Sequence, residues 1–304
     1  MQLQSLSVVI PTGKPGECGG ICMNHCASCP GRMHDHPYPY LLDETVPGFS
    51  RHLNEYIKRL EFARHNGCNT VMLTGSAEPQ QNRKFLTYFG MMQKMMSDPF
   101  QWVEMQTTGA GIDRNYLEFL RDHVGLNLLS LSLFALESVP NAEIVHPPKG
   151  MMTDIPIFTK LVKNMGLSLR LSLNMTSYFD EFASDPKLLF EALREDLFAD
   201  QVTFRVLYES GNDLPEDRWV RENSAKSETV AAFKQYVLDN GTLLGTLSYG
   251  AKKYGVHGMS TVIDDDSMGK SEEKREAGEN YKYAIVRENC KIYTAWDDPS
   301  SLLF

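Results

Sequence analysis

Cys22-Met-Asn-His-Cys26-Ala-Ser-Cys29 spaces three thiols as Cys-x3-Cys-x2-Cys, behind a short apolar run, Leu6 to Ile10, and a loop holding Gly13, Gly16, Gly19 and Gly20. Thiolates are soft ligands suited to iron–sulfur clusters or to zinc. Three of them on one short loop can wrap three corners of a cubane, leaving the fourth iron open to a small molecule. Zinc is the alternative. It wants four ligands, and Cys18, His25, His34 or His36 can complete the set, although no second Cys-x2-Cys knuckle follows. Of the six cysteines, Cys18, Cys22, Cys26 and Cys29 fall within twelve residues, and only Cys68 and Cys290 lie beyond them. Such clustering without a secretory leader reads as metal binding rather than a disulfide framework, and it leaves thiols for one cluster only.

Downstream the chain alternates short apolar runs with longer amphipathic ones. Strands are expected at Leu6 to Ile10, Thr70 to Thr74, Trp102 to Gln106, Leu128 to Leu133, Leu167 to Leu173 and Val202 to Leu207. Helices are expected at Phe49 to His65, Asn82 to Met96, Asp113 to His123, Ile155 to Asn164, Pro186 to Leu197 and Ser227 to Leu238. Asn66-Gly67 and Asn240-Gly241 read as helix stops, and Asp185-Pro186 as an N-cap with a first-turn proline. A strand roughly every thirty residues suits repeated right-handed crossovers. The strands read as apolar on both faces, so helices cover one side and the other lines an enclosed interior. The expected class is therefore α/β, a partial (β/α)6 TIM-like barrel in residues 1–240. The C-terminal extension, residues 241–304, is expected to cover the barrel with a hairpin from Tyr281 to Val286 and Lys291 to Ala295. Ser260 to Asn280, polar and acidic, reads as a solvated loop. Met91-Met92 and Met95-Met96, at i, i+4 spacing, read as packing residues.

The 304 residues include 30 basic and 39 acidic side chains, a net charge of −9, which disfavours nucleic acid and anionic membrane as partners. No apolar run approaches the ~18 residues of a membrane span, and the N-terminus lacks a basic region followed by a cleavage site. These features predict a complete cytoplasmic protein.

Thr74-Gly75-Ser76-Ala77-Glu78-Pro79 ends the second expected strand, and with the cysteine spacing it resembles the radical S-adenosylmethionine (radical SAM) superfamily. In that family a Gly-Gly-Glu motif, often Thr-Gly-Gly-Glu-Pro, stands at this point and holds the methionyl amino group of the cosubstrate. Ser130-Leu-Ser132-Leu-Phe-Ala-Leu-Glu137-Ser138 is similar to the Gly-x-Glu-Ser ending of the fourth strand in several branches, with Ala135 in place of glycine. The resemblance, which covers Leu6 to Glu209, implies a [4Fe-4S] cluster on Cys22, Cys26 and Cys29. It implies cosubstrate contacts at Gly75, Ser76, Ala77, Glu78, Thr107, Ser132, Glu137, Asn174 and Arg205, all at or near strand C-terminal ends, where barrel active sites collect. It further implies reductive cleavage of S-adenosylmethionine to a 5′-deoxyadenosyl radical that abstracts hydrogen from a small molecule, nucleotide or peptide, with flavodoxin or ferredoxin as electron donor. Two departures stand out. Ser28 replaces the usual aromatic before the third cysteine, and Cys18 offers a competing Cys-x3-Cys-x3-Cys register. His34, Asp35, His36, Tyr38, Tyr40, Glu209 and Arg218 are candidate substrate contacts. A zinc-stabilised binding protein and a radical-activating enzyme for a partner protein remain the other readings.

Overall fold

A computed structural model describes residues 2–10, 22–33, 52–75, 77–246, 251–264, 280–296 and 298–304. Six parallel strands run in sequence order: β1 (Gln2–Val9), β2 (Thr70–Thr74), β3 (Trp102–Thr107), β4 (Leu128–Leu133), β5 (Ser168–Met175) and β6 (Gln201–Val206). Each successive pair is joined in parallel register, with Leu6 beside Val71 and Leu131 beside Leu171 among the partners. Crossovers that are all right-handed and never reverse direction put every connecting helix on one face of the sheet.

A short α1 (Pro30–Met33) ends the cysteine loop, and the longer connections hold α2 (Leu53–His65), α3 (Arg83–Met95), α4 (Arg114–Phe119), α5 (Ser138–Val145), α6 (Ile155–Asn164) and α7 (Pro186–Glu191). Asn82, Asp113 and Asp154 cap α3, α4 and α6 by accepting hydrogen bonds from the amides of Phe85, Tyr116 and Ile157. Asp185 precedes Pro186 as expected but makes no side-chain cap bond. α8 (Pro215–Asn223) and α9 (Ser227–Asn240) follow β6. Both expected glycine stops are helix ends, for different reasons. Gly67 takes φ +88°, whereas Gly241 keeps an ordinary φ and is needed because a Cβ there would run into the Val237 carbonyl. Met92 and Met96 are core residues, while Met91 and Met95 on the same helix are exposed.

The helix-facing side of the sheet is apolar throughout: Leu6, Val8, Val71, Leu73, Val103, Met105, Leu129, Leu131, Leu169, Leu171, Val202 and Phe204 join one continuous core. The opposite side corrects the expected doubly apolar strands. By the two-residue strand period it carries Met72, Thr74, Glu104, Gln106, Ser130, Ser132, Arg170, Ser172, Asn174, Thr203 and Arg205, a largely polar surface.

Among the described residues eleven strands form one sheet, ordered β11-β10-β1-β2-β3-β4-β5-β6-β9-β8-β7. The described strands of the C-terminal extension lengthen the sheet at both edges. β7 (Thr242–Thr246), β8 (Lys252–Val256) and β9 (Met259–Asp264) form an antiparallel meander whose last strand runs parallel to β6. At the other edge β10 (Asn280–Val286) lies parallel to β1 and pairs with β11 (Ile292–Tyr293) in an antiparallel hairpin. The expected solvated loop from Ser260 thus begins as strand, and residues 265–279 lie outside the described residues. No helix among the described residues is long and apolar enough to cross a membrane.

Candidate functional site

The cysteine loop, residues 22–33, lies against the C-terminal ends of the parallel strands. Its first part meets β2 and β3. The Asn24 amide donates to Glu78 Oε1 (3.0 Å) and to Thr108 Oγ1 (2.8 Å), and the Met23 amide donates to Gln81 Oε1 (2.8 Å). Its middle hooks onto the end of α5, where the Ala27 amide donates to the Ile144 carbonyl at 2.9 Å. Cys26 and Ala27 pack there against the cluster of Phe134, Ile144 and Val145, as do Leu207 and Trp219. Its end reaches α8, through Arg32 Nε to Glu216 Oε1 (2.6 Å), while Arg32 also donates to the Cys26 carbonyl.

Glu78 is the hub of this arrangement. Only 7% exposed, its carboxylate accepts from Asn24, from Gln80 Nε2 (2.8 Å), from the hydroxyls of Thr107 (2.5 Å) and Thr108 (2.9 Å) and from the Thr108 amide (3.2 Å). All of these donors are neutral. A buried carboxylate tolerates that environment because several good hydrogen bonds replace its hydration. Gly75 sits where the ends of β1 and β2 meet, and a Cβ there would stand 3.3 Å from the Ile10 carbonyl. The backbone turn is therefore tight for a geometric reason.

Cys22, Cys26 and Cys29 are half-buried and free. Burial pushes the Cys22 thiol up, and the Glu78 carboxylate and Cys29 add to it, while the amides of Asn24 and Glu78 donate to its sulfur and pull the other way. Cys26 is pushed well up by burial, then by Cys29, Glu78 and Cys22, against a small opposing pull from Arg32. Each of these two shifts has a neighbouring cysteine among its causes, which places the trio in one neighbourhood. Among the described residues no three His, Cys, Asp or Glu side chains converge on a single-ion site. Two buried polar atoms on the loop have no partner, Asn24 Oδ1 and Ser28 Oγ. An all-thiolate set with unpaired polar atoms beside it fits an iron–sulfur group and a bound ligand.

The other expected contacts are spread along the strand ends. Thr107 joins the Glu78 hub and also accepts from the Gly109 amide. Ser132 is half-buried on the polar face of β4, in register with Ser172 on β5. Asn174 donates to the Leu133 carbonyl (3.3 Å) and lies beside Arg205 in the β5–β6 register. Arg205 is exposed, and so is Glu137 at the start of α5. Ala77 is buried. Ser76, Cys18, His34, Asp35, His36, Tyr38 and Tyr40 lie outside the described residues. Glu209 and Arg218 are engaged in ion pairs, Glu209 with Arg221 (2.7 Å) and Arg218 with Asp213 (3.2 Å).

Asn24, Gln80, Arg32 and Glu216 were not anticipated. The only signal for Asn24 was its place inside the cysteine spacing, and for Gln80 its place after Glu-Pro. A buried plug closes the polar face lower down. Arg170 donates to both oxygens of Glu104 (2.7 Å each) and to Gln201 Oε1 (2.7 and 3.1 Å).

The sequence matches no protein-family model and no curated protein. Solved structures do match. Native anSMEcpe with bound AdoMet aligns with a TM-score of 0.59 at 15% identity, over 99% of this chain and 77% of that one. The same protein with bound AdoMet and Cp18Cys peptide gives 0.56 at 16%, over 98% and 75%. A radical SAM methyltransferase from Sphaerobacter thermophilus aligns over 80% of this chain and 63% of its own, at 14% identity and a TM-score of 0.47.

Proposed function

We propose, starting from the fold that the chain shares with radical SAM enzymes, that it is itself such an enzyme, with a [4Fe-4S] cluster on Cys22, Cys26 and Cys29. The observation that carries this reading is the seating of Cys22, Cys26 and Cys29, all free, on the C-terminal ends of the parallel strands, joined there to Glu78 through Asn24. When bound, the cluster supplies the electron that cleaves S-adenosylmethionine to methionine and the 5′-deoxyadenosyl radical. The chain's part is to bind, orient and exclude water.

The six parallel strands and their five unreversed crossovers are read as a partial (β/α)6 barrel whose inner wall is the polar face. Gly75, Ala77 and Glu78 offer the cosubstrate a tight backbone edge, and Ser76 is the remaining expected contact of that motif. Thr107, Ser132, Asn174 and Arg205 line the rim beyond it, with Glu137 as an outlying contact. The orphaned Asn24 Oδ1 is an acceptor suited to a ligand N–H or O–H group. A wall of Ser, Thr, Asn, Gln and Arg favours a substrate rich in hydroxyl or amide groups, and the peptide held by anSMEcpe is of that kind. A flavodoxin or ferredoxin is the expected electron donor, and the cytoplasm the expected compartment.

The zinc reading needs four ligands around one ion, with sulfur atoms about 3.8 Å apart for tetrahedral bonds of ~2.3 Å. A cubane makes no such demand, because each thiol binds a different iron and the fourth iron needs no protein ligand. Anaerobic reconstitution with iron and sulfide, followed by measurement of 5′-deoxyadenosine with and without dithionite, tests the proposal. Reductant-dependent 5′-deoxyadenosine is expected. A chain that binds one zinc and no sulfide, or a loaded cluster that never cleaves the cosubstrate, refutes it.

A further inference from the structure

The Glu78 side chain sits in a closed triangle of hydrogen bonds. Asn24 Nδ2 directs its two hydrogens to Glu78 Oε1 and Thr108 Oγ1, and the Thr108 hydroxyl directs its own to Glu78 Oε1. The orientation of every group follows from one fact: an ionised carboxylate only accepts. Asn24 must turn its NH2 end to it, even though this leaves Oδ1 buried without a partner. The far oxygen of Glu78 is equally fixed. It faces Gln80 Nε2, which is pinned in that orientation by the Ala110 carbonyl (2.9 Å).

The loop's other ties are of a different kind. The Ala27 and Met23 contacts use main-chain amides, and the Arg32–Glu216 pair is partly open to water, with side chains 37% and 14% exposed, so that it contributes little. The triangle is thus the buried side-chain tie between the cysteine loop and the ends of β2 and β3. It spans 54 residues to Glu78 and 84 to Thr108.

We propose that Asn24, Glu78 and Thr108 form a latch that holds the cysteine loop in ligand-ready register, so that the Glu78 side chain is a positioning residue for Cys22, Cys26 and Cys29, acting through Asn24. This deepens the radical SAM reading and rests on it only for the identity of the metal group. The turn's backbone remains open to the cosubstrate while the carboxylate serves the loop.

The triangle can be run in reverse. Glu78→Gln alone sets an NH2 against Gln80 Nε2 in one orientation, and in the other makes Asn24 turn over and leaves its NH2 end buried without a partner. Asn24→Asp alone sets two carboxylates together. In the pair, the introduced glutamine amide donates to the introduced aspartate and to Thr108 Oγ1, and the Thr108 hydroxyl donates to that aspartate, so every bond is restored with its direction inverted. The glutamine keeps an oxygen for Gln80, Thr107 and the Thr108 amide.

Wild type, both single variants and the pair are compared in two measurements. Hydrogen exchange of residues 22–33 is followed in the metal-free, reduced chains, with the rest of the sheet as an internal control for folding. Iron and sulfide content and the electron paramagnetic resonance spectrum are then recorded after reconstitution. Both single variants are expected to exchange faster in this loop, on the order of tenfold, and to lose most of their cluster, with the pair restored in both. Single variants that match wild type in either measurement, or a pair no better than the worse single, overturn the latch. If wild type takes up no four-iron cluster, the enzyme reading falls, while exchange in the metal-free chains still decides the latch.

Discussion

Replacing Arg170 with methionine tests how the polar face of the sheet is held together. Arg170 on β5 reaches past β4, where its register partner is the small Ser130, to Glu104 on β3. Methionine retains most of the apolar stem but removes both 2.7 Å bonds to Glu104 and both to Gln201. Glu104, with its side chain 2% exposed, is then a buried carboxylate without its cation. Breaking a buried pair in this way costs about 3–5 kcal/mol, and because the Arg170 side chain is 23% exposed the low end, about 3 kcal/mol, applies. The surface pair Arg114–Glu118, 68% and 41% exposed, is the control, and Arg114→Met is expected to cost under ~0.5 kcal/mol. Urea unfolding of the metal-free, reduced chain reads both, and a melting shift of up to about 10 °C accompanies the larger loss. If the stranded charge is the cause, adding Glu104→Gln to the Arg170→Met chain recovers a substantial part of the loss. A cost below about 1 kcal/mol for Arg170→Met, or no recovery in the double variant, refutes the reasoning.

Three further outcomes follow from other parts of the molecule. Asp217, buried at the start of α8, offsets its burial with hydrogen bonds from the Ser210 hydroxyl and the amides of Leu214 and Ser210, and with Arg221 nearby these hold its carboxyl below its ordinary value near 3.8. A depressed folded-state value gives stability that is present above that ordinary value and lost as pH falls through the folded one. The stability gap between wild type and Asp217→Asn, followed by thermal melts, should therefore narrow below about pH 4. Gly90 lies inside α3, where alanine would ordinarily gain about 1 kcal/mol, but a Cβ there would run into the His123 carbonyl. Gly90→Ala should instead destabilise by about 1–3 kcal/mol in urea unfolding. Burial pushes the Cys68 and Cys290 thiols up to about 12, which leaves about one in ten thousand ionised at pH 8, so both should resist iodoacetamide in the native chain and react only on unfolding, read by mass spectrometry.

Much of the fold was legible because it is written in local period and punctuation. β2 and β4 begin and end where their apolar runs do, and α6 spans the expected Ile155 to Asn164. What was not legible depends on distant partners. β7, β8 and β9 carry no strong alternation, and their place at the β6 edge is set by pairing across the sheet. α5 and α8 are short and their boundaries rest on tertiary contact, α8 on the Asp217 bonds to the loop before it. The two-faced apolar reading failed for a local reason. Leu128-Leu-Ser-Leu-Ser-Leu133 and Ser168-Leu-Arg-Leu-Ser-Leu-Asn174 alternate strictly, and the density of leucine on one face masked the polar residues between.

The site divides along the same line. Ligand spacing is a local property, since three thiols must lie on a few consecutive residues to wrap one cluster, and that is why Cys22, Cys26 and Cys29 are candidates from the sequence alone. The groups that seat the loop are ordinary residue types brought together from far apart, Asn24 from the loop, Glu78 from the end of β2 and Thr108 from the end of β3. Parallel strands deliver their C-terminal ends to one rim whatever the sequence between them, so any polar residue within a few positions past a strand end is a candidate for this role. Glu78 follows β2 by four residues and Thr108 follows β3 by one. The plug of Glu104, Arg170 and Gln201 occupies the other end of the same polar face. The proposed chemistry is therefore left to the opposite end of this face, toward the C-terminal ends of β4, β5 and β6, where Ser132, Asn174 and Arg205 lie.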